Sequence, residues 1–207
     1  MRNLTPAHIR LVKLTLFLVF LLPLIRVIFR GVEGNLGANP LEFITRATGD
    51  WTIYCLCLTL CISPLRRFTG WHWIQRLRRL FGLYVFFYAV LHFVCFLWFD
   101  HFFDVEAMLQ DILKRPFIAL GFCAFVLLLP LAATSTDQMM RRLGRWWGKL
   151  HQLVYAVALL AVLHFWWMRS GKNNLLEPVI IAGVMLMLLG MRLVFYWRAR
   201  RAAVVAQ

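Results

Sequence analysis

Acidic residues are scarce in this chain: nine Asp and Glu stand against 23 Lys and Arg among 207 residues, and charged residues of all kinds make up only 15%. A water-soluble domain of this length carries about 25% charged residues, so a soluble globule is excluded. CxxC and CxxCH are missing, which removes a zinc ribbon, a redox dithiol and covalently attached c-type haem. The five cysteines, Cys55, Cys57, Cys61, Cys95 and Cys123, all fall in apolar stretches, where a thiol acts as a small hydrophobe. Walker and strand-linked GxGxxG patterns are also lacking, so the chain folds no nucleotide-binding domain of its own. Loops are short, and the sequence shows neither a low-complexity tract nor an evident internal repeat.

What is present is apolar: 62% of residues are hydrophobic, and the mean hydropathy is +0.71. A bilayer-spanning helix needs about 20 mainly apolar residues, and six segments qualify, at 10–30, 47–65, 81–99, 116–134, 150–168 and 177–197. The expected fold is therefore an all-α membrane protein, residues 1–207 forming a single six-helix transmembrane domain. Pro116 suits a first helical turn, Pro64 is expected to end the second helix, and Pro23 and Pro130 lie inside helices.

The net charge of +14 does not point to nucleic acid, because the basic residues sit in short clusters beside apolar runs. One set of helix ends holds 15 of them (Arg2, Arg10, Lys13; Arg66, Arg67, Arg76, Arg78, Arg79; Arg141, Arg142, Arg145, Lys149; Arg198, Arg200, Arg201) against Asp137 alone. The opposite ends hold Arg30, Arg46, Lys114, Arg115, Arg169 and Lys172 against eight acids. The positive-inside rule then puts both termini in the cytoplasm. Trp71, Trp73, Trp146, Trp147, Trp166 and Trp167 near helix ends suit an interfacial belt.

Six histidines remain to be placed. His8, His72 and His101 fall in the tail and loops and are expected to be solvated or interfacial. His92, His151 and His164 fall inside spanning segments, where a polar side chain is costly and ordinarily faces the bundle interior with a partner. His92 lies 13 residues beyond Arg79, roughly 20 Å into the membrane, and His164 lies 15 beyond Lys149, roughly 22 Å. His151 is only about 3 Å in. On this count His92 and His164 are level and able to bracket one iron, leaving His151 for a second site nearer the cytoplasm. Counting from Arg145 instead puts His92 midway between the other two. Zinc normally takes three or four converging protein ligands. Two imidazoles on facing helices better suit a haem, whose faces pack on apolar side chains, and Arg78 and Arg79 could pair with its propionates.

The stretches SPLRR (63–67), RRLFGLYVFFYAVLH (78–92), RPFIALGF (115–122), TSTDQMMRRLGRWWGKLHQLVY (134–155) and LHFWW (163–167) resemble the MsrQ family, formerly called YedZ. The resemblance covers essentially the whole chain. It implies a ferric-reductase-like transmembrane bundle in the bacterial inner membrane with one or two b-type haems on His92, His151 and His164. It further implies an associated FMN, electrons taken from the quinone pool or a flavin-linked donor, and a periplasmic molybdenum-containing partner, MsrP, that reduces protein-bound methionine sulfoxide. The electron-transfer role belongs to this chain and the sulfoxide chemistry to the partner. A stand-alone ferric or cupric reductase is the alternative. Unlike the wider superfamily, this chain has no second helix-three histidine; Arg78 and Arg79 occupy that stretch.

Overall fold

The computed structural model describes residues 5–171 and 175–205, and the expected charges Arg2 and Lys172 lie outside them. Among the described residues nine α-helices follow one another: α1 (Pro6–Val32), α2 (Pro40–Thr69), α3 (Arg78–Cys95), α4 (Val105–Lys114), α5 (Pro116–Ala133), α6 (Asp137–Leu143), α7 (Arg145–Leu150), α8 (Leu153–Ser170) and α9 (Leu176–Val205). No strand occurs among the described residues. A 3₁₀ turn, His72–Leu77, leads into α3, and a π-turn, Phe96–Asp100, extends it. Five stretches of the described residues are long and apolar enough to cross a membrane: Pro6–Val32, His72–Asp100, Pro116–Ala133, Arg145–Ser170 and Leu176–Arg201. Helix α2 has the length, roughly 45 Å, but Arg46, Thr48, Asp50, Thr52 and Thr59 interrupt its apolar run. It can carry them because α1, α3, α8 and α9 all pack against it.

Local chemistry sets the helix ends. Asn39 caps α2 with Pro40 in the first turn, and Gly70 closes it in the left-handed conformation at φ 70°. Asp104 and Thr136 cap α4 and α6 through their side chains. Phe102 and Phe103, before α4, hold φ of 49° and 66°, a conformation that bulky L residues rarely adopt.

Pro64 does not end α2. It lies buried inside the helix, which runs on to Thr69. Proline removes the N–H that would bond the carbonyl four residues back, here Leu60, and Arg192 of α9 supplies the missing donor, its Nη2 lying 2.7 Å from the Leu60 oxygen. Inside a bundle, a freed backbone group is tolerated only when a neighbour satisfies it.

The core gathers around α2, α3 and α8, with Cys55, Leu56, Leu60, Val85, Tyr88, Val157 and Ala158 almost fully enclosed. The buried hydroxyls of Tyr84 and Tyr88 donate to the carbonyls of Phe17 and Phe20, each at 2.6 Å, and so tie α1 to α3. The two tightest helix pairings are α2 with α3 and α5 with α8. Between those two pairs lies the main cavity.

Candidate functional site

The cavity has a volume of about 880 Å³ and is walled mainly by apolar side chains, among them Val85, Ala89, Phe93, Leu128, Val157 and Phe165. His92, from α3, and His164, from α8, enter it from opposite sides with ring centroids 6.2 Å apart and planes at 73°. Each ring is held by a backbone carbonyl on the helix beside it. Nδ1 of His92 is 2.9 Å from the oxygen of Thr45, and Nδ1 of His164 is 2.7 Å from that of Phe117. A carbonyl can only accept, so both Nδ1 atoms carry the hydrogen, and both Nε2 atoms keep an open lone pair. No hydrogen-bond partner meets either Nε2 among the described residues.

That arrangement is the one a metal-binding imidazole takes, its far nitrogen fixed by a carbonyl so that tautomer and orientation are set. Two imidazoles facing one ion at a metal–nitrogen distance of about 2 Å place their ring centres roughly 6 Å apart, close to the spacing seen. The described residues contain no group of three or more His, Cys, Asp or Glu that could hold a metal by themselves. The remaining ligands would have to come from a macrocycle, and a largely apolar cavity with two facing imidazole donors fits a haem.

His151 stands elsewhere. It occupies the turn between α7 and α8 rather than the interior of one continuous helix, and it does not line the cavity. Its ring stacks on Trp147 with centroids 4.0 Å apart, and its Nε2 is 3.1 Å from Oγ1 of Thr134. The Thr134 hydroxyl spends its proton on the Pro130 carbonyl at 2.6 Å, so His151 Nε2 is the donor and Nδ1 holds the open lone pair. Arg78 and Arg79 also stand away from the cavity. Arg79 binds Asp137 at 2.8 Å on the surface.

Of the loop histidines, His8 and His72 are exposed, but His101 is not. Its ring packs edge-on against Phe96 at 4.6 Å and lines the cavity mouth, because the turn at Phe102 and Phe103 folds the loop back toward the bundle. Three further features escaped the sequence reading. Asp50 of α2 takes both oxygens to Nη2 of Arg169, at 2.9 and 3.0 Å. The same Arg169 nitrogen reaches Glu177 at 3.2 Å, and Glu177 accepts from the Tyr54 hydroxyl. Gly49 and Gly121 are the third, each packed directly beneath a histidine ring. The signal for the ion cluster was a carboxylate inside an apolar stretch. The signal for the glycines was the Ala-x-Gly triplet that occurs at 47–49 and again at 119–121.

Residues 48–162 match the family model described as ferric reductase like transmembrane component. The chain is 54% identical to a protein of Herminiimonas arsenicoxydans named protein-methionine-sulfoxide reductase heme-binding subunit MsrQ, over 95% of this chain and 90% of the relative. The chain belongs to the MsrQ family. Its MsrQ relatives from Ralstonia nicotianae and Bordetella pertussis, which carry the same name, are each 50% identical, covering 98% and 97% of this chain and 94% and 97% of theirs. The ferric-reductase-like match stops two residues short of His164, whereas the MsrQ relatives cover 95–98% of the chain. No solved structure matches.

Proposed function

We propose that this chain is the haem-carrying membrane subunit of a methionine sulfoxide reductase system, with His92 and His164 as axial ligands of a b-type haem in the cavity. The observation that carries the reading is the facing pair, each Nδ1 held by a backbone carbonyl and each Nε2 open. A haem bound there supplies one-electron iron redox chemistry. The protein's part is to fix both imidazoles, keep the iron in an apolar sleeve, and hold the ring at a set depth without moving a charged side chain.

The cavity reaches toward the mouth at Asp100, His101 and Asp111, the acid-bearing ends of the helices. By the positive-inside rule that end faces the periplasm, both termini are cytoplasmic, and α2 serves as the sixth span of an inner-membrane protein. Electrons leaving the haem on that side are then placed to reach a periplasmic partner, the MsrP-type molybdoenzyme on which methionine sulfoxide is reduced. The quinone pool is the proposed donor. His151, with Arg78 nearby, is the proposed foothold of a second haem toward the cytoplasmic side.

The test is the oxidised and reduced spectrum of the detergent-purified chain and of His92→Ala, His164→Ala and His151→Ala. A b-type spectrum in the wild type from which His92→Ala and His164→Ala remove the same component, and from which His151→Ala removes at most a distinct second component, supports the assignment. A folded wild type that takes up no haem when haem is supplied overturns it.

A further inference from the structure

The two histidines occupy matching positions in more than depth. A shift of 72 residues carries Ala89-Val90-Leu91-His92-Phe93 onto the identical Ala161-Val162-Leu163-His164-Phe165, and Ala47-x-Gly49 onto Ala119-x-Gly121. The geometry obeys the same shift. The histidine and the carbonyl that holds it are 47 residues apart in both pairs, and the glycine lies four residues beyond the carbonyl each time. Val85 and Val157, each 1% exposed, line the cavity at equivalent places. The chain therefore does hold an internal repeat, hidden because identity survives only in two short stretches of it.

We infer that the cavity is one helix-pair unit used twice, α2–α3 and α5–α8, and that Gly49 and Gly121 are matched positioning residues that let the His92 and His164 rings lie against α2 and α5. The positioning role toward a haem rests on the ligand reading above; the repeat does not.

A side chain of even one carbon at Gly121 would stand 2.9 Å from both Cε1 and Nδ1 of His164 and 3.1 Å from Nε2. At Gly49 it would stand 3.0 and 3.1 Å from Cε1 and Nδ1 of His92. The ring cannot retreat without lengthening the bond to the carbonyl one turn away, so the clash is passed to the ligand's orientation. Glycine inside a helix is less favourable than alanine, and here it is kept at both equivalent positions. The repeat breaks where the chemistry of the two sides differs. Asp50 and Arg46 answer to Phe122 and Ile118, so the mouth is charged on one side, and His151 answers to Arg79, so the second layer has a histidine from one unit only.

Two readouts test the role. In the haem-loaded protein, Gly121→Ala should lower retained haem several-fold or shift the midpoint potential and the low-spin signature, with a smaller change for Gly49→Ala. Gly183→Ala, where nothing lies within 4 Å of the added carbon, should change neither. In the haem-free protein, Gly121→Ala should lower the melting temperature by about 3–10 °C, and this penalty should vanish in a His164→Ala background, where the carbon has room. Should Gly121→Ala fail to fold while the double variant folds, the inference stands by the same logic. It is overturned if the penalty persists without the histidine ring, if the double variant also fails to fold, or if Gly121→Ala matches Gly183→Ala in both readouts. A wild type without haem would defeat the functional reading and leave the melting comparison to decide the repeat.

Discussion

Arg192 lies inside α9 and bonds no carboxylate among the described residues. Its Nη1 donates to the Tyr155 hydroxyl at 2.8 Å and its Nη2 to the Leu60 carbonyl at 2.7 Å. That carbonyl is free because Pro64 has no N–H to offer it. Replacing Arg192 by Met keeps much of the apolar stem and removes both donors. A hydrogen bond to a charged group is worth about 1.5–3 kcal/mol, and a buried acceptor left unsatisfied costs about 1–3 kcal/mol. Arg192→Met should therefore destabilise by roughly 2–4 kcal/mol. Pro64→Ala restores an N–H at the right place in the helix, so in that background the Leu60 carbonyl no longer needs Arg192. The cost of Arg192→Met should then fall by about 1–2 kcal/mol, leaving mainly the Tyr155 contact. Equilibrium unfolding in mixed micelles, followed by circular dichroism for the four members of the cycle, measures the coupling. Equal costs in the two backgrounds would refute the account of why α2 continues through its proline.

Two further outcomes follow from other contacts. Arg169→Met strands Asp50 and Glu177 together and should cost about 3–5 kcal/mol, whereas Asp50→Asn leaves Arg169 its Glu177 contact and should cost about half as much; the same unfolding assay ranks them, and the reverse order would count against the pairing. Phe102 is 81% exposed at φ 49°, so Phe102→Gly should be neutral or stabilising by up to about 1 kcal/mol, read as an unchanged or slightly raised melting temperature.

Much of the helical frame is legible in composition, because a run of apolar residues has few other uses at this length. Helices α1, α5 and α9 each overlie an apolar run, although α9 continues eight residues past its run, to Val205. Helix α2 is harder: its charges and threonines dilute the run, since neighbours rather than lipid surround it, and Pro64 suggests a stop that only Arg192, 128 positions later, removes. Counting rise per residue puts His92 level with His164 when Lys149 marks the boundary and not when Arg145 does, and the carbonyls of Thr45 and Phe117 lie outside either count. They belong to other helices, and backbone acceptors leave no trace in side-chain identity. His151 shows the limit of counting by rise alone, since it sits in a turn bonded to Thr134. The Asp50–Arg169–Glu177 cluster joins Asp50 to residues more than a hundred positions away, a distance over which no periodicity speaks. The five-residue match that marks the repeat was visible, but in a chain this apolar a short match means little until both copies are seen to do the same thing.

Because the cavity is divided between an early and a late helix pair, its two histidines are made at different times. At about 5–20 residues per second, roughly 4–14 s separate synthesis of His92 from that of His164. During that interval the α2–α3 half can already hold its imidazole against Thr45 and Gly49, with the facing wall not yet built. The site is thus open on one side while the chain is being inserted and closes only when α8 docks.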